Sequence, residues 1–350
     1  MDIQYRLITI SSPKNGMFIQ TDNVGAQLAS VKISNKKGRK IEIMNQGLLD
    51  PQHSAYGKTA PNLVMTPGPA AKFDKKLRTP ATNYKGEEMP VIKHEVDGKN
   101  VDAVAFKFNN YPTIATQHGW SQYIDYSLRA GGEESDNYYI LQNNEDTLSP
   151  FKYRHYVCCS IEKDGTIKYV TELNNTSKYP IPGGLGWHPV FKLHDDTHRY
   201  VAVFEDVIKG DESCEVCNGY EVDCTQVIEN GSIKFKGLKS ATVALYYETK
   251  KGTRIPYLKV SCECPVWVLW GKGDGFAIEP WNTDKTSVYQ NITNQNDISF
   301  LEDKGYKVLQ PGKSTLLVTS VKVCDEYVNN KDIINLQSKN KHQDDDQSSL

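Results

Sequence analysis

Glu279 stands in Phe276-Ala277-Ile278-Glu279-Pro280-Trp281-Asn282-Thr283, between apolar neighbours and an indole ring. A carboxylate in such surroundings loses hydration, and its pKa rises toward the range useful to a general base. Pro280 sets the chain direction just after it and biases Glu279 toward an extended backbone. His188 stands in Gly183-Gly184-Leu185-Gly186-Trp187-His188-Pro189-Val190-Phe191. The glycines allow a sharp turn and close approach to a ligand, and Pro189 again favours an extended residue before it. Imidazole is the natural proton donor to a ring oxygen near neutral pH. A third segment, Thr116-Gln117-His118-Gly119-Trp120, sets another imidazole beside an indole. Taken singly, each group also reads as ordinary structure: Glu279 as a strand-end carboxylate in water, His188 and His118 as hydrogen-bonded core histidines.

The elements that must carry these groups are strands. Alternation runs through Gly25–Ile33 and breaks at Lys36-Lys37-Gly38, and Val104–Phe108 alternates before Asn109-Asn110. Tyr153–Ile161 runs into the turn Lys163-Asp164-Gly165, and Thr166–Leu173 returns from it. Thr242–Thr249, the apolar run Pro265–Trp270 and Lys313–Val323 complete the pattern. Closely spaced strands with little helix between them indicate an all-β fold, a large antiparallel β-sandwich. Phe73–Gly98 is charged and punctuated by Pro and Gly, and is expected to form long loops. No composition break splits the chain, so residues 1–328 are expected to form a single domain. Residues 329–350 are polar and biased, and are expected to be a disordered tail.

Composition narrows the partners. Against 41 Lys and Arg stand 43 Asp and Glu among 350 residues. Nucleic acid and anionic membranes call for a basic surface, so neither is expected as a partner. The start Met1-Asp2-Ile3-Gln4-Tyr5-Arg6 lacks a basic region followed by an apolar run, and no stretch approaches about 18 apolar residues. A soluble, cytoplasmic protein with reduced thiols is therefore expected. Among the eight cysteines, Cys214-Glu-Val-Cys217 with Cys224 and Cys262-Glu-Cys264 could be read as zinc ligands. The spacing is poor for that, with one CxxC rather than two and no His at a matching distance. Cys262 and Cys264 alternate, which suits one buried face of a strand.

In their order and at comparable intervals, the three segments resemble the aldose 1-epimerase (galactose mutarotase-like) superfamily. Its members carry a His-Gly motif in the first half, Gly-x-His-Pro-x-Phe mid-chain and Glu-Pro-Trp near the C-terminal end. Gly25-Ala26 to Val31 and Ser149-Pro150-Phe151, followed by the hairpin into Leu173-Asn174-Asn175, add to the likeness, which spans roughly residues 20–325. The resemblance implies a galactose mutarotase-like supersandwich with a cleft across one face. It also implies a reaction: Glu279 takes the proton of an anomeric hydroxyl, His188 gives one to the ring oxygen, and the opened aldose recloses as either anomer. It implies no metal, nucleotide or redox cofactor, a small sugar as partner, and a monomer or weak dimer. By the same resemblance His118 and Gln117 bind sugar hydroxyls, and Trp270 and Trp281, among Trp120, Trp187, Trp270 and Trp281, are the candidates for stacking on the sugar.

One departure concerns an arginine that the family places early in the chain. Pro69 stands at the corresponding point of Pro61–Lys72, leaving Lys72 and Arg78 as candidates for its role. Lysine lacks the forked donor set of arginine, so such a replacement changes how hydroxyls are held. A second departure is that Asp206, Asp211 and Asp223 fit no motif between His188 and Glu279. The alternatives are a non-catalytic carbohydrate-binding protein on the same fold and a mutarotase for a modified or phosphorylated hexose. A glycoside hydrolase needs two carboxylates at a set separation, whereas these motifs supply one carboxylate and one imidazole.

Overall fold

The computed structural model describes residues 6–44, 63–65, 77–82, 88–96, 99–104, 106–108, 111–113, 121, 124–144, 152–194, 199–283 and 307–330. The first strands are β1 (Leu7–Ser12), β2 (Met17–Asp22), β3 (Leu28–Ser34), β4 (Lys40–Met44) and β5 (Leu63–Met65). Next come β6 (Leu77–Thr82), β7 (Glu88–Val96), β8 (Lys99–Val104), β9 (Phe106–Phe108) and β10 (Tyr111–Thr113). The middle of the chain holds β11 (Tyr126–Gly131), β12 (Tyr138–Asn143), β13 (Tyr153–Ile161), β14 (Ile167–Asn175), β15 (Ile181–Pro182), β16 (Gly186–His188) and β17 (Val190–Lys192). Then follow β18 (Tyr200–Lys209), β19 (Tyr220–Asp223), helix α1 (Cys224–Asn230), β20 (Ser232–Phe235), β21 (Leu238–Glu248) and β22 (Arg254–Cys262). The chain closes with β23 (Val266–Lys272), β24 (Gly275–Trp281), β25 (Val308–Leu309), β26 (Ser314–Val323) and helix α2 (Asp325–Val328).

Two antiparallel sheets dominate. Among the described residues one has ten strands, ordered β1-β2-β3-β4-β17-β24-β16-β5, with β23 on β24 and β20 on β23. The other has nine, ordered β11-β12-β13-β14-β26-β22-β21-β18-β19. The β13–β14 hairpin shows how local sequence builds them. Alternate residues of both strands are buried, so one face of the pair meets the core. Between them Gly165 takes φ +81°, its N–H donates to Glu162 O, and Asp164 Oδ1 accepts from Thr166 N–H. Glycine suits that left-handed position because it has no Cβ to clash.

The sheets face each other across one apolar core, as a sandwich. Tyr169 of β14 stacks on Trp187 of β16, ring centroids 4.4 Å apart. The Tyr169 hydroxyl donates to Ala26 O, and Thr21 of β2 donates to the Tyr139 hydroxyl of β12. Aromatic rings with a polar edge thus fill the gap and satisfy buried polar groups across it. His155 of β13 is buried in the nine-stranded sheet, with Nδ1 2.6 Å from the Tyr126 hydroxyl and Nε2 2.8 Å from Thr171 Oγ1.

Phe73–Gly98 departs from the expected loops: β6, β7 and β8 form a three-stranded antiparallel sheet. Pro80 and Pro90 both fall at the register shift between the pairs Arg78↔Val91 and Ala81↔Met89. A proline there deprives no ladder of a donor, so it does not break the strand. At the other end Tyr327 of α2 stacks on Tyr257 at 3.9 Å, and its hydroxyl lies 2.8 Å from His194 Nδ1. Asn329 Oδ1 still accepts from Lys36 N–H, so two residues of the expected tail bond back to the fold. The rest of that tail lies outside the described residues. Among the described residues no helix is long and apolar enough to cross a membrane.

Candidate active site

Every residue of β24 is buried, because strands flank it on both sides and each of its faces is covered. Phe276 and Ile278 belong to the inter-sheet core. Ala277, Glu279 and Trp281 alternate with them and lie on the opposite face. There Trp281 joins Met65, Val266 and Val268 in a separate apolar cluster. On one side of β24, β23 sets Val266 opposite Trp281, Val268 opposite Glu279 and Trp270 opposite Ala277. On the other side, Gly186 of β16 pairs with Trp281 and Val190 of β17 pairs with Ala277.

The register between those two pairs sets His188 directly across from Glu279. Pro189 interrupts the strand at that point. Its missing N–H leaves a gap in the ladder, bridged by Ile278 N–H donating to Pro189 O at 3.4 Å. The flanking residue Trp187 points into the core, so His188 points onto the Glu279 face. His188 Nε2 lies 3.2 Å from Glu279 Oε1.

Both groups are shut off from water, Glu279 at 3% and His188 at 9% exposure. Loss of hydration disfavours the charged form of each. It pushes the Glu279 carboxyl up to about 8, a rise that the hydrogen bond from Trp281 opposes. It pushes the His188 imidazole down to about 4. Between those limits the couple holds a single proton, which rests on Glu279 beside a neutral His188.

Two indoles frame the couple. Trp270 meets the His188 ring edge-on, with centroids 5.5 Å apart. Trp281 Nε1–H donates to Glu279 Oε2 at 3.2 Å. Trp187, read with them as a possible sugar platform, is instead fully buried against Tyr169 on the far side of the sheet. Arg78 lies on β6, opposite Val91. Lys72, Gln117, His118 and Trp120 lie outside the described residues. The sequence reading missed the Trp281–Glu279 bond, although their separation by two positions on a strand was the signal that they share a face. Lys234, whose Nζ sits 5.0 Å from the centroid of the Trp281 ring, carried no motif at all.

Among the described residues no three His, Cys, Asp or Glu side chains converge as a metal-ligating group. The thiols of Cys214 and Cys264 are buried and donate to nearby backbone carbonyls, those of Val216 and Val266.

The fold has counterparts among solved structures. A galactose mutarotase related enzyme from Lactobacillus acidophilus shares 15% identity at a TM-score of 0.57, over 92% of this chain and 98% of that one. A galactose mutarotase-like protein from Lactobacillus casei gives 16% and 0.55, over 91% and 100%. An aldose epimerase homologue from C. elegans gives 13% and 0.53, over 92% and 99%. No family model matches the chain, and no curated protein sequence matches it. At such identities the likeness concerns architecture: this chain has the galactose mutarotase-like fold, an all-β supersandwich.

Proposed function

We propose that the protein is an isomerase of the aldose 1-epimerase kind, interconverting the α and β anomers of a free aldose such as glucose or galactose. The observation that carries this reading is the 3.2 Å contact between His188 Nε2 and Glu279 Oε1, buried together on one face of the ten-stranded sheet.

Ring opening of a hemiacetal removes the proton of O1 and adds one to O5, two oxygens on the same carbon. The couple's one proton first passes from Glu279 Oε1 to His188 Nε2 across their 3.2 Å contact. Glu279, now a carboxylate, accepts the O1 proton. The O1–H electron pair forms the C1=O1 double bond, the C1–O5 bond breaks, and O5 takes the proton of the His188 imidazolium. The couple ends as carboxylic acid and neutral imidazole. Rotation about C1–C2 exposes the other face of the aldehyde, and reclosure returns both protons. The couple's net charge is the same before and after, which suits a site where water cannot screen a new charge.

The test is polarimetry of freshly dissolved α-glucose and α-galactose with the wild-type protein and with Glu279→Gln. Acceleration by the wild type that the variant loses supports the reading. No acceleration on any aldose, with sugar binding retained, favours a carbohydrate-binding protein on this fold.

A further inference from the structure

The two oxygens of Glu279 have different partners. Oε1 faces His188, while Oε2 accepts the indole N–H of Trp281. That indole is held fast, being buried at 5% exposure among Met65, Val266 and Val268. A cation stands over it. Lys234 lies on β20 opposite Val268, and its Nζ is 5.0 Å from the Trp281 ring centroid. An ammonium over the face of an indole is attracted by the π cloud and draws density from it, which makes the ring N–H a stronger donor. A donor to the charged form of a carboxylate favours that form against desolvation.

We propose that Trp281 and Lys234 are positioning residues for Glu279: the indole N–H ties down Oε2 so that only Oε1 is left for proton transfer, and the Lys234 ammonium strengthens that tie through the ring. The proposal rests on the reading of Glu279 as the proton acceptor, and it assigns Trp281 a task other than stacking on sugar. Among the described residues, the titratable or charged groups facing Glu279 are His188, from across β24, and Lys234 behind Trp281. β23 presents Val268 to it and Val266 and Trp270 beside it.

The test is a carboxyl-carbon NMR titration of the full-length protein without sugar, the Glu279 signal being assigned by its loss in Glu279→Gln. Trp281→Phe keeps the ring and removes the N–H. Its Glu279 midpoint should rise by about 1 unit or more, as expected for a hydrogen bond to a buried charged group. Lys234→Met should raise it by less, and Lys234→Arg should restore most of the wild-type midpoint. In polarimetry Trp281→Phe should lower kcat with KM little changed.

An unmoved midpoint in a folded Trp281→Phe overturns the proposal, as does a raised KM with an unmoved midpoint, which would mark a sugar platform. Lys234 lies on the surface, so its variants give the same readout if Trp281→Phe fails to fold. An unmoved midpoint in Lys234→Met removes lysine from the arrangement. Failure of the mutarotase reading shows separately, as absence of any wild-type acceleration while the NMR midpoints remain measurable.

Discussion

His188 Nε2 lies 3.2 Å from Glu279 Oε1, and the two side chains reach that contact from neighbouring strands rather than from one motif. A couple that works with one proton fails when it holds two or none. It gains a second as pH falls through about 4, where His188 protonates while Glu279 is already neutral. It loses its last as pH rises through about 8, where Glu279 ionises beside neutral His188. The pH profile of kcat/KM for mutarotation should therefore be bell-shaped, with limbs near those values. A rate that stays flat from about pH 3 to about pH 10 would sink the pair as the catalytic couple.

Removing either partner should cost most of the rate. Glu279→Gln and His188→Asn should each slow anomer exchange by ~10²–10⁴-fold. The double variant should be little worse than the poorer single one, since groups that act as a unit are not additive. Initial rates by polarimetry decide this. More than about a tenth of wild-type activity in Glu279→Gln would show that the base is another group.

Trp187 carries the segment that holds His188, through its stack on Tyr169. Trp187→Ala empties a fully buried site and should destabilise the fold by ~3–5 kcal/mol. Trp187→Phe keeps a ring in the stack and should cost clearly less. Urea midpoints with unchanged slopes give both values. Equal stability of Trp187→Ala and wild type would mean that the stack does not hold the sheets together.

Acid should weaken the fold through its buried imidazoles. Burial pushes His155 down to about 3 and His194 to about 4, alongside His188. Each group's folded pKa is depressed below the ordinary histidine range. The stability it contributes is present above about pH 6.5 and is lost as pH falls through its folded value. Unfolding free energy should thus drop between about pH 6.5 and about pH 4, and less steeply in His155→Gln than in wild type. Denaturant melts at the two ends of that range measure the difference, and identical slopes would show that His155 does not contribute.

Much of the scaffold was legible in the chain. Alternation over Tyr153–Ile161, an Asp-Gly turn and a second alternating run determine a hairpin by local chemistry alone, and the strands lie where the pattern puts them. The sheet of β6 to β8 was not legible. Prolines and charges that signal loops in isolation are harmless where a register shift removes the need for their N–H groups. Such a shift is a property of the partner strand.

The site divides in the same way. The sequence by itself marked Glu279 and His188 as candidates for proton transfer, because each precedes a proline that extends its backbone and stands among apolar neighbours that withhold water. Only the tertiary structure decided that the two meet, that Trp187 serves the core while Trp281 holds the carboxylate, and that Lys234 stands over that indole. Strand order and register set those relations. They follow from how two sheets bury a shared core, and no residue's immediate neighbours encode them.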